Sequence, residues 1–255
     1  MRSEIIVDKV SLQYYNGNET IPALADISFR IALGEFCAIL GPSGCGKSTM
    51  INLIAGFITA TSGFITVNGA PVSAPGPDRV VVAQDYSLFL WKTVRANVEF
   101  GLKARGLRAG ERRAMAQKYL DLVHLIPFAD NYPLELSGGM RQRVALARAL
   151  AVEPACLLMD EPLAALDMQM RHYLQDELLA IWTQTRQTIL LVTHDLDEAL
   201  YLADCILVMA ARPGHIRATF TVPFPRPRSP DLRLTDGFQA LKREVAMSLY
   251  AAVAG

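Results

Sequence analysis

Apolar and polar positions alternate in the first part of the chain and then give way to continuous apolar runs. The alternation over residues 4–15 and 26–31 predicts strands with one buried face. Residues 36–40 are all apolar, which is typical of a strand buried on both faces of a parallel sheet. After Ser48, apolar residues return at helical spacing, so we predict that a helix follows the buried strand.

The middle of the chain combines further strands with a long helical region. Residues 61–83 predict short strands, with Asn68-Gly69 as a hairpin turn. Helix-forming residues dominate from 93 to 150, and a further helix is predicted over 168–185. Strand patterns resume in three runs: residues 155–159, 188–193 and 205–209. Because strands alternate with helices, we predict an α/β fold with a central, mainly parallel sheet, an N-terminal antiparallel β subdomain and an α-helical insertion.

The last part of the chain changes character again. Residues 222–230 contain four prolines and predict an extended linker. A final helix is predicted to start near Thr235 or Asp236, and its apolar stripe consists of Phe238, Leu241, Val245 and Leu249. The changes of pattern divide the chain into a first core segment, a helical insertion, a second core segment and a tail: residues 1–85, 86–150, 151–222 and 223–255.

Composition and charge exclude two classes of protein. The chain has 255 residues, of which 51% are hydrophobic, and 25 basic residues balance 25 acidic ones. An apolar chain of zero net charge and this length folds instead of remaining disordered. Domains whose main task is to grip nucleic acid are usually basic, so we expect no nucleic-acid partner.

The apolar content also raises the question of a membrane span. The longest unbroken apolar run covers seven residues, 205–211, whereas a spanning helix needs about 20. The first ten residues include Glu4 and Asp8 and show no apolar core of a signal peptide. We therefore expect a cytosolic protein that reaches any membrane through a partner.

A glycine-rich loop between the buried strand and the helix is the sharpest motif. It matches the phosphate-loop pattern G-x-x-x-x-G-K-[ST] and consists of Gly41, Pro42, Ser43, Gly44, Cys45, Gly46, Lys47, Ser48 and Thr49. Its glycines let backbone N–H groups and the helix N-terminus face phosphate oxygens. Lys47 is expected to bind the β- and γ-phosphates, Ser48 to bind Mg²⁺, and Thr49 to bind the α-phosphate. The loop predicts a P-loop NTPase but leaves the class open, because kinases, GTPases, helicases and transport ATPases share it. Of the four cysteines, Cys45 is the one candidate for a reactive thiol.

Two acids end the apolar run 155–159. In a parallel sheet, ligands bind at the carboxyl ends of the strands, which places Asp160 where it can hold Mg²⁺. Glu161 lies one residue further and can act as the general base that polarises the water attacking the γ-phosphate.

Another glycine-rich segment identifies a family. Residues 136–143, LSGGMRQR, closely resemble the signature sequence of ATP-binding cassette (ABC) ATPases. Met140 stands where the family usually has Gln, a replacement that also occurs in the nitrate, sulfonate and taurine importer branch. The resemblance covers residues 4–215, and its motifs follow the order found in the family.

Further residues resemble landmarks of that family. Gln84 resembles the glutamine of the Q-loop, and Asp167 resembles the aspartate of the D-loop. His194, after a buried strand, resembles the switch histidine. Tyr15, or as the alternative Tyr14, resembles the aromatic residue that stacks on adenine.

The resemblance implies a composite catalytic site. In the family, the signature closes over ATP bound to a second subunit, so Ser137, Gly138 and Gly139 are expected to face the nucleotide of a partner. ATP would then join a homodimer or paired cassette. Gln84 is expected to contact Mg²⁺ or the attacking water and to relay the nucleotide state to the helical insertion. His194 is expected to hydrogen-bond the γ-phosphate or that water.

The resemblance also implies partners in a membrane. We expect transmembrane permease subunits, a periplasmic or extracellular solute-binding protein, and a peripheral position on the cytoplasmic face of the inner membrane. Residues 86–91, YSLFLW, are apolar for a loop and indicate either core packing or a groove for the coupling helix of a permease. Short stretches at 52–57, 75–79 and 223–228 resemble the nitrate, sulfonate and taurine group. Another importer branch, or a DNA- or ribosome-associated ABC ATPase, is the alternative.

Overall fold

A computed structural model describes residues 4–17, 19–76, 78–83 and 86–254. The strands are β1 (Ile5–Asn16), β2 (Glu19–Ile31), β3 (Phe36–Leu40), β4 (Ser62–Val67), β5 (Ala70–Pro71), β6 (Arg79–Val82), β7 (Cys156–Asp160), β8 (Thr188–Val192), β9 (Cys205–Ala210) and β10 (His215–Thr221). The α-helices are α1 (Lys47–Ala55), α2 (Val94–Ala104), α3 (Ala109–Leu122), α4 (Gly138–Ala151), α5 (Met168–Thr185), α6 (Leu196–Leu202) and α7 (Asp236–Ala254). Short 3₁₀ turns cover Ile126–Phe128, Pro133–Glu135 and Pro230–Leu234.

The N-terminal sheet is antiparallel, with strand order β2-β1-β4-β5. The predicted hairpin is confirmed, because Val67 pairs with Ala70 across the turn Asn68-Gly69. Both turn residues have positive φ, 54° and 74°, which is what a two-residue hairpin turn of this kind requires. Strand β1 departs from regular pairing with β2 at three places between Val7 and Gln13. These bulges interrupt the alternation of faces along the strand.

The central sheet has six strands in the order β10-β9-β3-β8-β7-β6. Five strands run parallel, and β10 joins the edge antiparallel to β9. Every residue of β3 is buried, as the continuous apolar run predicts. The carboxyl ends of β3, β7 and β8 meet at one edge, where Ile39 and Asp160 both pair with Val192. The predicted α/β fold class, with its mainly parallel sheet, is therefore confirmed.

The helical insertion between β6 and β7 consists mainly of α2, α3 and α4. Val98 and Leu102 on α2 face Ala116 and Leu120 on α3, and all four side chains are buried. This layer is continuous with the core on one face of the central sheet, whereas α1 and the antiparallel sheet form a second core on the other face. The boundaries of the segments as separate domains stay a prediction.

The proline-rich segment has no helix or strand over residues 222–229 and is held firmly against the core. The side chain of Arg228 is fully buried and donates hydrogen bonds to the carbonyls of Leu200, Tyr201 and Ala203, at 3.3, 2.8 and 2.7 Å. These carbonyls lie at the C-terminal end of α6, where backbone acceptors lack helical partners. Arg228 therefore caps a helix that lies more than twenty residues earlier in the chain.

The last helix, α7, completes the same core. Phe238 and Val245, from its predicted apolar stripe, are fully buried, and Leu241 and Leu249 pack against them from partly exposed positions. Within the described part of the chain, no helix combines the length and the apolar character that a bilayer span requires.

Candidate nucleotide-binding site

The phosphate loop places a bare helix N-terminus at the carboxyl edge of the central sheet. Gly44 and Gly46 have φ of 79° and 99°, in the left-handed region that favours glycine. Gly46 occupies the N-cap of α1 and has no side chain that could accept a hydrogen bond from the first turn. The turn contains no acidic residue. Its N–H groups, together with the positive end of the helix dipole, are therefore available to an anion.

The ammonium group of Lys47 is held at the mouth of this loop. Its Nζ donates hydrogen bonds to the carbonyl oxygens of Gly41 and Pro42, at 2.8 and 2.9 Å, and the residue is buried. The loop thus positions a full positive charge beside the exposed N–H groups without help from another segment.

Close packing fixes the shape of the loop. A Cβ atom on Gly46 would lie 2.4 Å from the Leu24 side chain, and one on Gly214 would lie 2.2 Å from the carbonyl oxygen of Cys45. Cys45 itself is buried, and burial raises the pKa of its thiol although Lys47 works in the opposite direction. The prediction that Cys45 is the reactive cysteine therefore does not agree with its surroundings, since the thiolate form is disfavoured.

Two of the three predicted metal ligands, Ser48 and Asp160, lie side by side. The Ser48 hydroxyl lies beside the Asp160 carboxylate, to which it can donate a hydrogen bond, and Asp160 is buried. Burial raises the pKa of Asp160, while the bond from Ser48 and the charge of Lys47 oppose that rise. An adjacent hydroxyl and carboxylate supply the hard oxygen ligands that suit Mg²⁺, which usually completes its shell with phosphate and water. Gln84, the third predicted ligand, lies outside the described residues.

The predicted base and the predicted switch histidine form a pair. His194 Nδ1 lies 3.2 Å from Glu161 Oε2. Glu161 has φ of 49°, an uncommon conformation for this residue type. Its backbone is tied on both sides, because its N–H donates to Val192 and its carbonyl accepts a bond from Gln142 Nε2, at 2.9 and 3.0 Å. The strained turn is thus held in place from two elements.

Gln142 belongs to the signature sequence, but the sequence reasoning gave it no role in the site. It lies on α4, three residues after Gly139, and is almost fully buried. Its amide donates to the Glu161 carbonyl, and its Oε1 accepts from the N–H of Ala165, at 3.0 and 3.1 Å. One side chain therefore joins the signature helix to the loop that carries the general base. A polar residue on the apolar side of a helix was the available signal.

A cleft of about 770 Å³ opens in front of the phosphate loop. Besides loop residues it is lined by Glu161 and His194, and by Tyr14 from β1. Tyr15 is not among the lining residues and is the more exposed of the two tyrosines, at 71% against 48%. The structure therefore places Tyr14, the alternative, on the wall of the cleft and Tyr15, the preferred prediction, outside it, and which of the two stacks on adenine stays a prediction. The bulges in β1 decide which of the two neighbours faces the loop.

The signature residues lie away from this cleft, in agreement with a site that a second chain would complete. Ser137 is the N-cap of α4 and accepts a hydrogen bond from the Met140 N–H at 3.3 Å. Gly138 and Gly139 begin the helix, and a Cβ on Gly139 would lie 3.4 Å from the Ala165 carbonyl. Asp167 caps α5 in the same way, accepting from the Met170 N–H at 3.0 Å.

Comparison with known proteins decides the family. The family model described as ABC transporter matches residues 24–164. The chain belongs to the ABC transporter ATPases. The fold agrees, since a dimeric ATP-binding cassette solved in a post-hydrolysis state with ADP and Pi superimposes with a TM-score of 0.80 at 31% identity, covering 87% of this chain and all of that one.

Two of the relatives described here have names that describe import, and the third is named only as an ATP-binding protein. The nitrate import ATP-binding protein NrtD of Synechocystis is 50% identical over 206 residues, which cover 81% of this chain and 77% of the relative. The taurine import ATP-binding protein TauB of Yersinia pestis is 50% identical over 195 residues, 76% of each chain. An ATP-binding protein of Brucella abortus is 49% identical over 228 residues, 89% of this chain and 88% of the relative. The chain is thus an ABC ATPase of the importer type that binds ATP.

Proposed function

We propose that two copies of this ABC ATPase close over two ATP molecules and drive the uptake of a small anion or an organosulfur or nitrogen solute. Nitrate, sulfonates and taurine are the solutes in view, and a separate permease carries them across the membrane. The observation that carries the proposal is the 50% identity to both a nitrate and a taurine import protein over about three quarters of this chain.

The hydrolytic roles follow from the arrangement of the cleft. Lys47 and the N-terminus of α1 bind the β- and γ-phosphates. Ser48 and Asp160 would hold Mg²⁺, which supplies charge neutralisation on the phosphate oxygens when it is bound. Glu161 accepts the proton of the water that attacks the γ-phosphate, and ADP is the leaving group. His194 orients the Glu161 carboxylate through the 3.2 Å contact.

The second half of each site comes from the partner copy. Ser137 and the glycines that follow it present a helix N-terminus outside their own cleft. Such a terminus binds anions, and the γ-phosphate on the partner's loop is the anion that a head-to-tail dimer would bring to it. Tyr14, on the cleft wall, stacks on the adenine ring.

An exposed aromatic surface offers a place for the permease. Phe89 lies 5.6 Å from Trp91 and 4.5 Å from Phe100, measured between ring centroids, and 73% of Trp91 is exposed. Asn97, which is fully buried, fixes this loop by accepting from the Phe89 N–H and donating to the carbonyl of Lys92. Apolar rings held in this way suit a short helix of a membrane partner.

Solute uptake tests the proposed transport. In cells that lack the chromosomal copy, the wild-type chain should restore uptake of labelled nitrate, taurine or an alkanesulfonate, whereas Glu161→Gln should not. Glu244→Gln, on the exposed side of α7, is the matched carboxylate control and should restore uptake fully. Uptake of all three solutes that is independent of the wild-type chain would show that the solute class is wrong.

The dimer has a separate test. With hydrolysis blocked by Glu161→Gln, ATP should convert the purified chain from monomer to dimer in light-scattering measurements. The additional change Ser137→Arg should prevent this, because a bulky cation would occupy the interface. A Glu161→Gln chain that hydrolyses ATP at the wild-type rate would refute the general-base assignment.

A further inference from the structure

A second, much smaller cavity lies behind the Glu161–His194 pair. Its volume is about 10 Å³, which is room for a single water molecule. The loop after β7 contributes Glu161 and Ala164 to its wall, and the loop after β8 contributes Thr193 and His194. Glu198, from the first turn of α6, also lines it. The cavity thus separates the hydrolytic residues from a further carboxylate.

Glu198 is an unusual residue for the position that it occupies. It is 4% exposed, and its Oε2 accepts a hydrogen bond from the Thr193 hydroxyl. Its other carboxylate oxygen, Oε1, is buried and makes no hydrogen bond of normal length and angle in the part of the chain that the structure describes, although the Gln175 amide lies near the carboxylate. A buried oxygen left unpaired is costly, and buried polar atoms of this kind usually bind an ordered water.

The groups around Glu198 have opposing effects on its pKa. Burial is the largest influence and raises the pKa of Glu198 to about 7. The Thr193 hydroxyl, the Gln175 amide and the Arg171 guanidinium oppose the rise, whereas the charge of Asp195 adds to it. Glu161 and His194 face the same cavity from its other side. At neutral pH the carboxyl is therefore close to the midpoint of its titration.

Glu198 is hydrogen-bonded to the two residues on either side of the predicted switch histidine. The Thr193 hydroxyl, which donates to Glu198, also accepts the N–H of Asp195 at 3.0 Å. The Asp195 carboxylate in turn accepts the Glu198 N–H at 3.0 Å. His194 lies between these two fastened residues, and the Thr193 N–H is bonded to Ile39 of β3 at 3.2 Å. The backbone that carries the imidazole therefore lies between two residues of this ring of bonds.

We propose that Glu198 is a positioning residue for His194, and that its second carboxylate oxygen binds one water molecule in the cavity behind the hydrolytic pair. The inference rests on the proposed roles of Glu161 and His194. The ionised carboxylate accepts a stronger bond from Thr193 than the protonated acid does. The loop is consequently held more firmly above the midpoint of the titration than below it.

The test compares the pH dependence of hydrolysis in matched variants of the full-length chain. For Glu198→Gln, which has the shape and neutrality of the protonated acid, kcat should equal that of wild type near pH 6 and fall about fivefold below it near pH 8. KM for ATP should stay within about a factor of two, because the residue does not touch the nucleotide. At each pH, the kcat of Glu198→Gln is divided by that of wild type. This ratio removes the pH dependence that comes from titratable groups present in both proteins.

Two further changes separate positioning from general structural damage. Asp197→Asn lies on the same helix and removes only a half-exposed ion pair with Lys242, so it should leave kcat unchanged at every pH. Thr193→Val removes the donor and should lower kcat as Glu198→Gln does, whereas Thr193→Ser should restore it. Wild-type kcat in Thr193→Val, or a Glu198→Gln ratio that stays flat with pH, would overturn the proposal.

The water molecule is tested directly by a high-resolution crystal structure of the wild-type chain. It should lie within hydrogen-bond distance of Glu198 Oε1, and an empty, well-defined cavity would refute that part of the inference. The two levels of inference fail differently. If Glu161→Gln abolishes hydrolysis while the Glu198 and Thr193 variants match wild type, only the positioning role is wrong. If Glu161→Gln hydrolyses normally, the assignment of the base is wrong as well.

Discussion

The phosphate loop and the signature turn are both glycine-rich starts of helices, but their backbone donors are treated differently. At the phosphate loop, Gly46 caps α1 with no side chain, so no capping side chain competes with a ligand for the first-turn N–H groups. At the signature turn, Ser137 uses its own hydroxyl to accept the N–H of Met140. The N-terminus of α1 therefore leaves its backbone donors to a ligand. The N-terminus of α4 uses one donor for its own cap, and that hydrogen bond must break before the donor can bind a ligand.

The packing around the glycines also differs between the phosphate loop and the signature turn. A side chain on Gly46 would collide with Leu24, and one on Gly214 would collide with the loop backbone. A side chain on Gly138 would meet only the Tyr86 hydroxyl, at an ordinary 3.6 Å, and one on Gly139 would lie 3.2 Å from Leu166, which is tight but less severe than the collisions at the phosphate loop. The phosphate loop is therefore preorganised by its surroundings. The signature turn has the freedom that a surface needs if it closes on a partner.

The largest expected effect comes from removing the charge of the phosphate loop. Lys47→Ala should lower ATP hydrolysis by at least about 100-fold, because phosphate stabilisation loses its full positive charge. Steady-state ATPase assays and binding of a fluorescent ATP analogue would measure this. Lys47→Arg, which keeps the charge but cannot fit the same carbonyls, should also fail. Binding retained in Lys47→Ala would mean that the helix N-terminus alone holds the nucleotide.

Two glycines of the same loop separate conformation from packing. Ala in place of Gly44 meets only the cost of a positive φ, about 1 kcal/mol, because nothing lies within 4 Å of the new methyl group. Ala in place of Gly46 adds a collision with Leu24 and should be more destabilising by about 1–3 kcal/mol. Each kcal/mol lowers Tm by about 2–4 °C. Equal melting temperatures of Gly44→Ala and Gly46→Ala would show that the loop is not rigidly packed.

The signature turn should respond more gently. Ser137→Ala removes a helix cap, which costs about 1 kcal/mol of stability. Thr93→Ala removes the matching cap of α2, where Thr93 accepts the Ala96 N–H, and serves as the control. Both should lower Tm similarly, but only Ser137→Ala should lower kcat, by about tenfold. A kcat loss of the same size in Thr93→Ala would indicate that capping alone explains the effect.

The smallest effect concerns the thiol inside the phosphate loop. Burial raises the pKa of Cys45, whereas a hydrogen bond from the Cys37 thiol lowers the pKa of Cys205, which is also partly exposed. At pH 7 an alkylating reagent should therefore modify Cys205 before Cys45, and raising the pH to 9 should narrow the difference. Peptide mapping by mass spectrometry would measure the order. Preferential modification of Cys45 would show that the loop opens in solution.

The sequence predicts local features of this protein well. The phosphate loop, the hairpin at Asn68-Gly69 and the helix Met168–Thr185 are each determined by residues within one segment. Short-range patterns of glycine, periodicity and caps are enough to locate such features.

Features that depend on distant segments were not predictable in the same way. Tyr14 and not Tyr15 lies on the wall of the cleft, at the end of a strand whose bulges no simple alternation reveals. Gln142 is important because the loop of Glu161 folds back onto it, nineteen positions along the chain. The pattern of prolines predicts a linker but gives no indication that Arg228 reaches the end of α6.

The buried arginine of the tail has a practical consequence for handling the protein. Because Arg228 caps α6 and Phe238 fills the core, residues after 222 are part of the folding unit and cannot be exchanged like a detachable module. An affinity tag or fluorescent fusion should be placed beyond the end of α7. An insertion between 223 and 234 would disturb the segment that holds Arg228 against the C-terminal end of α6.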